Sequence, residues 1–204
     1  MVWGSVNVST IVVSGGSTPP TPPPTKYYTV TFSVDQSKGT SSGSTQIVVE
    51  EGGSATPPTV VAKTGWTFAG WSSQAYRNVT SNCTINATFT AVEYTISYDL
   101  DGKNATNPNT QTKYTIQDSF TPVAPQILDA GYTFTHWTPS SITSPSTGNV
   151  TFLAGWQAKE VEVQLDFDDG TGSSSTIAVT YGQVPPDVVP PTREGYDFDG
   201  YYAQ

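Results

Sequence analysis

Three stretches of the chain alternate apolar and polar residues with a period of two: YTVTFSVD from Tyr28, YTISYDLD from Tyr94 and VEVQLDFD from Val161. That period sends successive side chains to opposite faces of a strand. Val30, Phe32 and Val34, then Ile96, Tyr98 and Leu100, then Val163, Leu165 and Phe167 are therefore expected to face a core. A Gly-, Asn- and Ser-rich turn follows each stretch and leads to a second strand: TQIVVE from Thr45, TKYTIQ from Thr112 and TIAVTY from Thr176. Next come connections holding Pro57 and Pro58, Pro122, and Pro185 and Pro186, which read as crossings or sheet edges because proline cannot donate to a ladder. Each connection runs into a phrase that opens on glycine: GWTFAGW at 65–71, GYTFTHW at 131–137 and GYDFDGY at 195–201. A closing strand, TINATF ending at Phe89 and VTFLAGW ending at Trp156, completes the first two units.

The phrase recurs with a period of roughly 65 residues, the mark of a tandem array. Register divides the chain into an N-terminal strand at 1–13, a linker at 14–26, and repeats at 27–92, 93–159 and 160–204. The third repeat stops just past its phrase without a closing strand, which leaves an edge to be completed by another chain, left open, or cut from a longer protein. The linker, SGGSTPPTPPPT from Ser14, begins flexible and ends in proline-rich, extended chain. Val6, Val8, Ile11 and Val13 ahead of it form a strand too short to fold alone and are expected to dock on another protein's sheet.

Composition supports the strand reading. Leucine occurs only at Leu100, Leu128, Leu153 and Leu165, whereas Val, Thr, Ile and aromatic residues abound, so strong helix formers are scarce. The net charge of −9, with eight basic residues scattered singly, argues against nucleic acid as a partner. Cys83 is the only cysteine, so an intramolecular disulfide is impossible. Nothing before Lys26 has the charged and apolar regions of a secretory leader, and no apolar run reaches the roughly 20 residues of a membrane helix.

Taken together, the opening strands at 28–35 and 94–101, the phrases at 65–71 and 131–137 and the closing strand at 150–156 resemble the Listeria-Bacteroides repeat, also called the internalin B-type repeat. Residues 161–201 are similar to its first two-thirds. The resemblance implies mainly-β units of small, β-grasp-like (α+β) fold with a mixed sheet, strung as tandem beads. It also implies a role as stalk or interaction module in surface-exposed bacterial proteins, and by extension in phage proteins. His136, where the family usually carries glycine, and Phe89, where it carries a closing tryptophan, are departures.

Candidate chemistry is sparse. His136 is the only histidine and has no counterpart in the sister phrases, so no catalytic role is expected, and no cofactor. Asp166, Asp168 and Asp169 before Gly170 offer oxygen donors to calcium but lack the alternating spacing of a calcium loop, and aspartate at a turn has its own reason in bonding the turn backbone. Trp71, His136, Trp137, Tyr201 and Tyr202 are binding candidates for protein or sugar. The competing role is core, since a unit this small needs large side chains to bury; Phe68, Phe134 and Phe198, identical in all copies, are the expected core residues. Six N-x-S/T triplets start at Asn7, Asn78, Asn82, Asn86, Asn104 and Asn149, and glycosylation is discounted.

A non-enzymatic surface protein is therefore expected. The leading expectation is a virion decoration or fibre protein docked on capsid or tail by its N-terminal segment. The alternative is a fragment of a bacterial cell-surface adhesin that binds host protein or glycan. No membrane insertion is expected, and the open edge of the third repeat makes a homo-oligomer the expected state.

Overall fold

The computed structural model describes Met1, residues 15–16, 21–168 and 170–202. The docking residues Val6, Val8, Ile11 and Val13, together with Asp169, lie outside the described residues.

Among the described residues fourteen strands run in order: β1 (Tyr27–Ser33), β2 (Gly39–Ser42), β3 (Gln46–Glu50), β4 (Thr59–Ala62), β5 (Trp66–Trp71), β6 (Cys83–Ala91), β7 (Tyr94–Asp99), β8 (Ala105–Thr106), β9 (Lys113–Tyr114), β10 (Gln126–Ile127), β11 (Tyr132–Thr138), β12 (Val150–Ala158), β13 (Glu160–Asp166) and β14 (Ser174–Thr180). The fold is mainly β. Among the described residues, the helical part of the α+β expectation shrinks to one 3-10 turn, Ala75–Arg77.

The first two repeats build the same mixed sheet, ordered β3-β1-β6-β5 and β11-β12-β7-β9. In each, the opening strand pairs antiparallel with the second strand on one side and parallel with the closing strand on the other. Parallel neighbours need a crossover, and β-grasp sheets of this order usually make it with a helix. Here the crossover runs through the proline connection without an α-helix, and in the first repeat it carries β4, which pairs with β2.

The chain forms two compact units that do not follow the repeat boundaries. The first gathers described residues up to Ser33 with Ser42–Thr59 and Trp71–Asn86. Its core is Val30, Phe32, Ala55, Tyr76, Val79 and Ile85, with Tyr76 presented by the 3-10 turn and stacked edge-on to Phe32. The second gathers Val34–Ser41, Val60–Gly70 and Ala87–Gln204, and its core is Ile96, Tyr114, Trp137, Ile142, Phe152 and Ala154.

Among its described residues the third repeat has only the hairpin of β13 and β14, and residues 195–201 add no strand to it. The expected inward face is correspondingly incomplete. Leu165 is buried, but Val163 is 39% exposed where its equivalents Val30 and Ile96 are 0% and 4% exposed. The difference has a direct cause: β6 and β12 pair beside those equivalents, and among the described residues no closing strand lies beside β13.

Candidate functional site

The repeated phrase sets its aromatic residues two and then three positions apart, and strict alternation would send the last one outward. The second repeat shows how this is resolved. Phe134 sits opposite Trp156, yet His136 sits opposite Gly155 and Trp137 opposite Ala154, so Thr135 is an extra residue, a β-bulge. One inserted residue reverses the alternation beyond it. Phe134 and Trp137 therefore share the inward face with Phe152, Ala154 and Trp156, while His136 is exposed.

In the first phrase the same spacing passes through Gly70 at φ 127°, and in the third through Gly200 at φ 136°, a backbone region that side-chain-bearing residues rarely enter. His136 is not among the residues of positive φ, so the second copy makes its bulge without glycine. The imidazole lies over Gly155, where a Cβ would come within 2.6 Å of its Cε1, and Nδ1 is 2.9 Å from the Thr135 hydroxyl. A short neighbour on β12 is what makes room for the ring.

The binding candidates separate on this geometry. Trp137 is 5% exposed, packs edge-on to Tyr98 and Phe152, and donates its indole N–H to the Val123 carbonyl at 2.9 Å. It is a core residue and offers no face to a ligand, which corrects its place among the binding candidates. Trp71 is half-buried, edge-on to Phe32 with ring centroids 4.8 Å apart, at the border of the first core. Tyr201 is partly buried against Phe198 at 4.9 Å, whereas Tyr202 is exposed and donates to Asp199 Oδ2 at 3.0 Å. His136, Tyr202 and the outward residues beside them are what the surface offers.

The expectation that the three phenylalanines form the core also needs correction. Phe68 and Phe134 are half-buried, each closed by an aromatic of its closing strand: Phe89 at 5.9 Å and Trp156 at 5.6 Å. Phe198 has no closing strand to meet and is 42% exposed. The identical residue thus packs on the closing strand where one is present, and in the second repeat the deeper position belongs to Trp137, three residues on.

The acidic turns fit the backbone reading. Asp166 Oδ1 accepts the Asp168 N–H at 3.0 Å and Asp99 Oδ1 accepts the Asp101 N–H at 2.9 Å, with Asp168 and Asp101 both left-handed at φ 47° and 53°. Among the described residues no three His, Cys, Asp or Glu side chains are placed to hold a metal ion. Asp35 and Asp118 are held below the ordinary carboxylate range, chiefly by the hydroxyls of Ser37 and Thr115.

One pair of residues escaped the sequence reading. Asn82 Oδ1 accepts the Thr29 N–H at 2.8 Å and Asn149 Oδ1 accepts the Thr95 N–H at 2.9 Å. Each asparagine stands just before the closing strand and extends its ladder by one bond to the opening strand. The recurrence of Asn82 and Asn149 at equivalent places in two repeats was the available signal.

The sequence profile of one family, described as the Listeria-Bacteroides repeat domain, matches residues 28–92, 94–155 and 164–204. Two relatives come from Evansella cellulosilytica, one named provisionally as a membrane protein and the other provisionally as a Gly-rich membrane protein. The first is 26% identical over 71% of this chain and 24% of its own length; the second is 24% identical over 70% and 18%. The chain thus spans under a quarter of each of these relatives. No solved structure matches it. Among the described residues no helix is long and apolar enough to cross a membrane.

Proposed function

The chain belongs to the Listeria-Bacteroides repeat family, and from that premise we propose that it is a non-enzymatic, repeat-bearing segment of a bacterial cell-surface protein. In this reading the repeats act as a spacer and present their outward positions to host protein or glycan. One observation carries it: three tandem family matches cover most of the chain, and Trp71 of the first phrase and Phe134 and Trp137 of the second pack into or against cores. A phrase used for folding in this way leaves recognition to the positions where the copies differ, namely Ala69 and Gly70, Thr135 and His136, and Asp199 and Gly200.

The names of the two relatives favour a cell-envelope setting over a virion, and neither relative carries a virion description. The test is protease shaving of intact cells of the source organism, followed by mass spectrometry. Peptides from residues 27–159 released without lysis are expected. Their appearance only after lysis, or their recovery in purified phage particles, would overturn the cell-surface reading.

The exposed edge of β13 supports self-association through the third repeat. Light scattering is expected to give a concentration-dependent mass for the full chain and a constant monomer mass for a chain ending at residue 159. An unchanged ratio to monomer after truncation rules out the third repeat as the assembling element.

A further inference from the structure

The phrase opens on Gly65, Gly131 and Gly195, and at the first two the space a side chain would fill is taken by the following repeat. A Cβ at Gly65 would lie 2.6 Å from Cδ1 of Ile116 and 3.1 Å from Cγ2 of Thr147, and one at Gly131 would overlap the ring of Tyr181. At Gly195, which no further repeat follows in this chain, a Cβ would meet nothing within 4 Å. The carbonyls of the two filled glycines are engaged in the same way: Val92 donates its N–H to Gly65 O at 2.9 Å, and Lys159 donates to Gly131 O at 2.9 Å. Val92 and Lys159 occupy one position in the repeat, just past the closing aromatics Phe89 and Trp156 and just ahead of the next opening strand.

The second of these contacts is the more elaborate. Tyr181 follows β14, donates its N–H to Lys159 O at 2.9 Å and meets Tyr132 edge-on at 5.4 Å. Lys159 Nζ donates to Ala130 O at 2.7 Å, and Asp129 Oδ1 accepts the Gly131 N–H at 3.0 Å. The Asp129 charge raises the Tyr181 phenol above its ordinary value.

We propose that the glycine opening the phrase is the joint between consecutive repeats: its missing side chain is a socket for a large or branched side chain past the second strand of the next repeat, while its carbonyl ties down the intervening linker. A contact of this kind holds neighbouring repeats in register, so the spacing of the array is set by packing as well as by linker length. The joint is a property of the array and stands apart from the cell-surface reading, whatever the array displays.

Gly131 is the position to test, because its φ is not positive and alanine there adds bulk without backbone strain, whereas Gly65 sits at φ 88°. Three variants of the full chain suffice: Gly131→Ala, Tyr181→Ala and the double. Amide exchange at Lys159 and Tyr181 reads the joint, and that at Ile96, bonded to Thr112 O inside the second repeat, serves as reference. Each single variant is expected to speed exchange at Lys159 and Tyr181 by about tenfold or more while leaving Ile96 unchanged. The double variant is expected to match Tyr181→Ala alone, since the clash partner is already gone. The proposal is overturned if Gly131→Ala does equal damage with alanine at 181, or if both joint amides keep their protection in Tyr181→Ala. Should Gly131→Ala fail to fold, recovery of folding in the double is the expected result, and failure to recover overturns the proposal.

Discussion

Trp137 and His136 are neighbours in sequence and opposites in environment, and replacing each by alanine separates their roles. Removing a buried indole costs about 3–5 kcal/mol, so Trp137→Ala is expected to shift the urea midpoint far downward. His136→Ala, on the exposed side, is expected to stay within about 0.5 kcal/mol. Asp118 gives a residue-scale pH effect. Its Oδ2 accepts the Thr115 N–H at 2.7 Å and the Thr115 hydroxyl at 2.8 Å, which favours the ionised form and lowers its pKa from the ordinary 3.8. A lowered native pKa contributes stability that is fully present above 3.8 and is lost as pH falls through the native value. Asp118→Asn is expected to flatten the acid limb of stability below about pH 4, measured by denaturation at stepped pH. Not every residue role could be read in advance. The alternation at Val30, Phe32, Ile96 and Tyr98 pointed to the core because period two is a local signal, whereas Asn82 and Asn149 act on backbone groups 53 and 54 residues away, a pairing no local pattern records.

At the scale of the strand, the bulge in β11 decides which aromatics meet. Deleting Thr135 would leave Phe134 and Trp137 two positions apart, so plain alternation alone would keep both on the inward face. The deletion is therefore expected to cost well under the roughly 3 kcal/mol of Trp137→Ala and to leave tryptophan emission unshifted, whereas a red shift would show that the bulge itself positions the indole. Strand existence and order were legible because opening, second and closing strands each carry apolar alternation bounded by turn residues. The bulge was legible too, in the two-then-three spacing of the aromatics, but that spacing has to be read against the pleat. The assignment of Phe134 to the centre of the core, with Trp137 as a surface candidate, followed from treating the phrase as one regular strand. β9 is shorter than the apolar pattern from Thr112 implied, because the chain leaves the sheet at Thr115 to make its turn with Asp118. In the third repeat the pattern promised an inward face at Val163 that only a closing strand could have covered.

For the molecule as a whole, the parallel pairing of opening and closing strands has a mechanical consequence. A repeat inside an array is pulled by its two ends, and here those ends are the adjacent strands β1 and β6, or β7 and β12. Val30 to Ser33 lie beside Cys83 to Asn86, and Ile96 to Asp99 beside Val150 to Leu153. Tension along the chain therefore slides these neighbours past each other, so the bonds between them bear load together and must rupture nearly at once. The hairpin of β13 and β14 is antiparallel, and the same tension opens it from its free ends, one bonded pair after another. In single-molecule stretching, two high-force rupture events of similar contour length are expected per chain, from the first two repeats, with the third yielding at low force beforehand. Three equal events, or none, would show that strand direction does not govern the resistance. Under rupture the barrier to unfolding, not the equilibrium stability, sets the lifetime, so a repeat of modest stability can still keep its length when pulled.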